Sequence, residues 1–176
     1  MQKNIIRHLI FSTNFGNAAI IYRENPFMLI KTILPCANQK SLMKIIAKEE
    51  PGEAGKHQKA RLVSRRITEY FEGKPLPIPW KWMDMGSLTE PQQSVLVALT
   101  RIPYGELRTY KDIAEEIGRP GASRFVGTTL AKNPFPILIP CHRVIRSDGS
   151  VGQFGGGTEL KRKMIELEAK HVLSMK

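Results

Sequence analysis

The run Asn133-Pro134-Phe135-Pro136-Ile137-Leu138-Ile139-Pro140-Cys141-His142-Arg143-Val144-Ile145 governs how this chain is read. A cysteine stands directly beside a histidine, behind a proline, at the end of an apolar stretch. A thiol reacts as its thiolate, and a neighbouring imidazole can take the proton and hold the charge. The run therefore offers a nucleophile, a base and a rigid loop to carry them. A plainer reading stands beside this one. A lone cysteine after an apolar run also suits a small core residue. Adjacent side chains on an extended strand point to opposite faces, and a Cys-His pair alone does not transfer between families.

Outward from this loop, Ser147-Asp148-Gly149-Ser150 is turn-rich, and residues 151–157 (Val-Gly-Gln-Phe-Gly-Gly-Gly) form a glycine-rich loop. That loop lacks the lysine and spacing of a phosphate-binding loop, but its backbone N–H groups can line a pocket. Thr158 then caps a final helix through about Lys170, with Met164, Ile165 and Leu167 packing. Glu168 on that helix either points back to the cysteine loop or lies in solvent.

Upstream, Thr89 caps a helix with Pro91 in its first turn, and Val95, Leu96, Leu99 and Ile102 recur at helical spacing. After the turn Pro103-Tyr104-Gly105-Glu106, Thr109 to Asp112 is close to a capping box and opens a helix from Tyr110 to Ile117, ended by Gly118. A second helix is predicted from Ala122 to Lys132, with Phe125, Val126 and Leu130 inward. Two short helices around a glycine-containing turn outline a helix-turn-helix. The second carries the small residues Ala122, Ser123, Gly127, Thr128 and Thr129 with Arg124 among them. Small residues let a helix approach a surface closely, and an inserted arginine can fill the gap left by an extruded base. A close helix–helix contact with Arg124 in solvent fits the same pattern.

The first part of the chain reads differently. Apolar runs at Ile5-Ile6, Leu9 to Phe11, Ala18 to Tyr22 and Phe27 to Ile30, separated by turn residues, predict a small antiparallel meander over residues 5–34. Ser41 to Ala47 is a short helix with Leu42, Ile45 and Ile46 on one face. His57 to Glu72 is a second helix, with Leu62, Ile67, Tyr70 and Phe71 on one face and Gly73 after its end. His57 is expected to be exposed, and Cys36 structural. Gly73-Lys74-Pro75-Leu76-Pro77-Ile78-Pro79 begins a stiff connector. The division is thus an N-terminal α/β domain (1–72), a proline-rich linker (73–88) and a mostly helical C-terminal domain with a helix-turn-helix (89–176).

The chain has 176 residues, a net charge of +11 and two cysteines. The charge suits a polyanionic partner, nucleic acid first. It is not concentrated in the helical part. Residues 1–88 hold 14 Lys+Arg against 7 Asp+Glu, and residues 89–176 hold 13 against 9. Two cysteines make neither a disulfide framework nor a metal set, and a reduced cytosolic setting is the simpler expectation. No signal peptide and no membrane-length apolar run is legible.

The Asn133 to Ile145 run closely resembles the active-site signature of the O6-alkylguanine-DNA alkyltransferases (methylated-DNA–protein-cysteine methyltransferases). The likeness spans roughly residues 89–171, while residues 1–72 fit the family's variable N-terminal domain in layout only. The resemblance implies direct repair: an alkyl group on guanine O6 moves to a cysteine sulfur, once per molecule. By resemblance Cys141 is the acceptor, His142 the base, Glu168 the group that orients it, and Asn133 the residue that shapes the loop. Tyr110 would contact the base, and Arg124 would replace the flipped nucleotide. The helix carrying Ala122, Ser123 and Gly127 would enter the minor groove, and backbone groups near Val144 and Gly155 would bind the guanine edge. Phe154 lines the pocket where many members have tyrosine, Gly155 stands where serine is common, and Thr128-Thr129 are bulkier than usual. The expected partner is double-stranded DNA containing O6-alkylguanine. The protein is expected to be a cytoplasmic monomer with no membrane, metal or cofactor. Set against this are a damage sensor without catalysis, which lacks the cysteine in the related group, a thiol hydrolase, and a transcription regulator.

Overall fold

The apolar runs that open the chain pair as an antiparallel sheet in the computed structural model, which describes residues 5–174. Strands β1 (Ile6–Thr13), β2 (Gly16–Arg23) and β3 (Met28–Cys36) lie in the order β1-β2-β3. The first turn is set by Gly16, whose φ of 117° is open only to glycine and whose added Cβ would lie 2.5 Å from the Cys36 carbonyl oxygen. Thr13 closes it, its hydroxyl donating to the Gly16 carbonyl at 2.8 Å. Residues Ala18 to Tyr22 of β2 are all at most 1% exposed, so both faces of the central strand are covered.

Alternation along β2 explains how. Ala19 and Ile21 meet Leu42 and Ile46 of α1 (Gln39–Ala47), with Ile33 of β3 beside them. Tyr22 points to the other face, where its hydroxyl accepts the His57 N–H at 3.4 Å at the start of α2 (Gln58–Phe71). Ile67, Tyr70 and Phe71 of α2 are buried as the periodicity predicts, whereas Leu62 is half-buried. Two expectations are corrected. Ile45 is exposed, because Leu42 and Ile46, four apart, already define the buried stripe. His57 is no free surface residue: its Nδ1 accepts the Lys59 N–H at 3.1 Å as the helix cap, and its ring stacks on Phe27 at 4.7 Å.

The described chain divides into two compact units at Met85/Gly86, inside the 73–88 stretch. Residues Trp80–Trp82 form a 3-10 turn. Beyond it the Asp84 N–H donates to the Leu29 carbonyl at 2.8 Å, and Asp84 pairs with Arg23 at 3.0 Å. Met83 and Asp84 thus lie along β3 as part of the first unit.

The second unit is mostly helical. Helix α3 (Glu90–Leu99) starts behind Thr89, whose N–H donates to Gln92 Oε1 at 3.0 Å. The strand pair β4 (Arg108–Thr109) and β5 (Val144–Ile145) is parallel and only two residues long. Helix α4 (Tyr110–Glu116) opens with the expected capping box: Thr109 Oγ1 accepts the Asp112 N–H at 3.1 Å, and Asp112 Oδ2 accepts the Thr109 N–H at 2.7 Å. Gly118 and Gly121, at φ 69° and 91°, carry the chain to α5 (Ser123–Ala131). Helices α3, α4 and α5 pack on one another around Leu96, Leu99, Ile113 and Val126, all at 0% exposure. Helix α6 (Thr158–Ser174) runs four residues further than the spacing suggests. Among the described residues no helix is long and apolar enough to cross a membrane.

Leu96→Ala should lower stability by about 2–5 kcal/mol, the range for truncating a fully buried leucine. Denaturant unfolding measures it. The midpoint should fall with the slope unchanged, and an unchanged midpoint would show that Leu96 does not anchor the three-helix packing.

Candidate active site

Asn133 fixes the loop that leads to the cysteine. Its Oδ1 accepts the Phe135 N–H at 3.0 Å and its Nδ2 donates to the Ile139 carbonyl at 3.1 Å. Between these anchors Ile137 is held at φ 78°, a conformation a β-branched residue rarely adopts and one that costs about 1–3 kcal/mol. Burial of Phe135, Ile137, Leu138 and Ile139 offsets that strain. Pro140 then leads into a 3-10 turn, Cys141–Arg143, closed by the Arg143 N–H on the Pro140 carbonyl at 3.0 Å. On such a turn neighbouring residues are not forced to opposite faces. Cys141 and His142 are both buried, at 5% and 0% exposure.

Glu168 of α6 is buried against this turn. Its Oε1 accepts His142 Nε2–H at 2.7 Å, and Arg143 Nε donates to Oε2 at 2.9 Å. The Gly105 N–H reaches Oε2 at 2.9 Å. Gly105 is required here: its φ is 81°, and a Cβ would meet Val172 Cγ2 at 2.5 Å. Arg143 also donates to the Ile102 carbonyl at 2.6 Å and lies over the Tyr104 ring. Burial works against the Glu168 carboxylate, but the His142 hydrogen bond, the charge His142 carries once protonated at low pH, and the Arg143 guanidinium outweigh it and hold it at about 2. Burial pushes the His142 imidazole down, against the pull of Glu168, so it is neutral near pH 7. With Nε2 carrying the proton toward a carboxylate, Nδ1 is the accepting nitrogen of the neutral ring.

Burial pushes the Cys141 thiol up, and the Asn133 hydrogen bond, the Lys161 charge and the backbone N–H groups of Cys141 and His142 oppose it. At rest the sulfur is therefore a thiol that needs a base. Tyr110 lies close to this sulfur: burial raises its phenol, Cys141 adds to the rise, and Arg146 opposes it. Gly152 leaves room for it, since a Cβ there would sit 3.1 Å from the Tyr110 hydroxyl. Gly127 on α5 faces the same ring from 3.7 Å by the same measure.

The structure brings Asn133, Cys141, His142, Glu168 and Tyr110 together, with Val144 immediately beyond the turn. Arg124 stands exposed on α5, with Ala122 and Ser123 half-buried at its start. Phe154 is half-buried and Gly155 exposed in the glycine-rich loop. Thr129 is buried, its hydroxyl donating to the Phe125 carbonyl at 2.9 Å, so only Thr128 faces outward. Sequence reasoning missed Arg143, Gly105 and Lys161. Lys161 sits in the charged run Lys161-Arg162-Lys163 and reads as solvated. Its spacing to the buried Met164 and Glu168 was the available signal.

Glu168→Gln leaves Arg143 without its carboxylate partner and should cost about 3–5 kcal/mol at neutral pH. A carboxyl held at about 2 contributes stability that is present above its ordinary value near 4.5 and is lost as pH falls toward 2. The gap between the two proteins in urea unfolding should therefore close across that window. A gap independent of pH would show that the charge of Glu168 is not what stabilises the turn.

Residues 90–170 match the family described as 6-O-methylguanine DNA methyltransferase, DNA binding domain. The methylated-DNA–protein-cysteine methyltransferase of Methanosarcina barkeri (strain Fusaro / DSM 804) is 44% identical over 112 residues, covering 64% of this chain and 70% of that protein. The protein of the same name from Mycobacterium leprae (strain TN) is 50% identical over 86 residues, 49% of this chain, so the match spans about half, 52%, of that relative. The fold is similar to a crystal structure of Mycobacterium tuberculosis OGT in complex with DNA, with a TM-score of 0.75, 29% identity and 94% of each chain covered. With 44% identity across most of the Methanosarcina relative, this chain belongs to the methylated-DNA–protein-cysteine methyltransferase family.

Proposed function

We propose that this chain repairs DNA directly by moving an alkyl group from O6 of guanine onto Cys141, once per molecule. The observation that carries this is the buried thiol beside a neutral imidazole whose other nitrogen is fixed by a carboxylate. His142 Nδ1 takes the thiol proton through a bridging water, and Glu168 stabilises the imidazolium that forms. The sulfur attacks the alkyl carbon; the C–S bond forms as the C–O6 bond breaks. The electron pair moves through O6 into the guanine ring, and the proton taken from the thiol returns from the imidazolium through water to the ring, leaving ordinary guanine and a neutral His142. Attack at a saturated carbon creates no oxyanion, so no oxyanion hole is needed, unlike a thiol hydrolase. The thioether product is inert to water, which makes the protein a stoichiometric reagent.

The DNA side of the reading rests on α4 and α5. In this reading the pair acts as a helix-turn-helix, with the α5 start, including Ala122, Ser123 and Gly127, against the minor groove. The exposed Arg124 fills the stack where the guanine leaves. Tyr110, at the α4 start and close to Cys141, contacts the turned-out base, and backbone groups at Val144 and Gly155 hold its edge. Phe154 gives that pocket an apolar wall. An alkylated guanine is cheaper to extrude than a normal one, because its pairing is already weakened. The excess positive charge supports binding to duplex DNA, and we take the protein to act as a monomer.

The deciding experiment is the intact mass after mixing with a duplex carrying one O6-methylguanine, with peptide mapping. One methyl per protein on the Cys141 peptide is expected, and none with Cys141→Ala, which should still bind the lesion. Tight binding of the lesion without transfer by the native chain would make it a damage sensor instead. Arg124→Ala should slow transfer from duplex DNA by about tenfold or more, the effect of losing about 1.4 kcal/mol. Reaction with the free alkylated base should change little. Equal slowing on both substrates would remove the stacking role.

A further inference from the structure

Lys161 has no exposed surface, although lysine is almost never fully buried without a paired charge. It projects from the inner face of α6, in line with Met164 and Glu168. Its Nζ donates to the Val144 carbonyl at 2.5 Å and lies 5.8 Å from the centroid of the Tyr110 ring. Among the described residues it makes no ion pair with a carboxylate; Glu168 is engaged by His142 and Arg143. The charged and titratable groups that act on it are Cys141 on the 3-10 turn and Arg146 beyond β5. Tyr110 of α4 covers it as a ring.

A buried ammonium with a neutral thiol beside it is uncompensated, and that state is costly. Removing the thiol proton puts a negative charge within electrostatic reach of the ammonium. The cost of holding Lys161 without a partner thus favours the thiolate, against the burial that disfavours it. The Val144 carbonyl adds a second consequence. Because Nζ occupies one of its lone pairs, the carbonyl is fixed in direction immediately beyond the reactive turn.

We propose that Lys161 is a positioning residue for alkyl transfer: its ammonium is the counter-charge of the Cys141 thiolate and anchors the Val144 carbonyl at the pocket wall. This rests on the reading of Cys141 as the alkyl acceptor. Burial holds the amine down at about 8, so it is mostly charged at neutral pH and loses its charge above that value.

The test is the rate of Cys141 alkylation by iodoacetamide from pH 5 to 10, read by mass on the Cys141 peptide so that Cys36 does not contribute. Lys161→Met removes the charge at similar length. Its inflection should move up by about one pH unit, so that alkylation at pH 7 falls about tenfold. Lys161→Arg keeps the charge and should retain most of the native rate. Cooperative thermal melting establishes that each variant is folded. Should Lys161→Met not fold, Lys161→Gln keeps a donor for the Val144 carbonyl without the charge and reads the charge alone. An unchanged pH profile in a folded, uncharged variant would overturn the proposal, as would equal losses in the arginine and uncharged variants. Methyl transfer by the native protein, measured alongside, separates this outcome from failure of the alkyltransferase reading. Native transfer with an unshifted thiol profile rejects only the role of Lys161.

Discussion

One buried carboxylate ties the second unit together. Glu168 receives the His142 ring, the Arg143 guanidinium and the Gly105 N–H, so a single side chain on α6 holds the reactive turn and the loop after α3. Each of those groups is itself committed elsewhere. Arg143 reaches the Ile102 carbonyl, and Gly105 adopts a backbone conformation that brings its N–H inward. A carboxylate in this position is stable only because its donors are charged or fixed; removal of either partner leaves a buried charge exposed to the full desolvation cost.

The electrostatics follow from that constraint. Arg143 pairs with the Glu168 carboxylate, and a second cation, the buried Lys161, acts on Cys141 instead. Burial raises the thiol and lowers the imidazole, which keeps both neutral at rest. In the proposed reaction a proton moves between two neutral groups, with Glu168 as the proposed partner of the imidazolium and Lys161 as the proposed partner of the thiolate. Such preorganisation spares the reorganisation that water would require. The positive φ of Ile137 and the Asn133 clamp fix the loop that carries the sulfur.

The first unit is organised by a different requirement. Its central strand is buried on both faces, so it needs a helix on each, and the alternation along β2 distributes Ile21 to α1 and Tyr22 to α2. Its exposed side carries basic residues on α2, including Arg61, Arg65 and Arg66. These add to a positive field that favours approach to a polyanion without specifying a sequence.

The sequence by itself determined the local structure and the chemistry of the cysteine loop. Turn residues, caps and apolar spacing gave the three strands, the capping box at Thr109 and the helices around Tyr110 and Arg124, because these depend on residues within a few positions of one another. The Cys141-His142 pair and its resemblance to a repair family were legible for the same reason. Only the tertiary structure decided which charged residues are interior. Lys161 and Arg162 are neighbours in the chain, yet one is fully buried and the other exposed. Glu168 is a solvated helix residue until the turn 25 positions away supplies its partners. Thr129 and Ile45 were misjudged in the same way, since burial depends on what packs against a helix face. Long-range contact sets the desolvation and the counter-charges, and those decide whether a thiol, an imidazole or an amine is chemically useful.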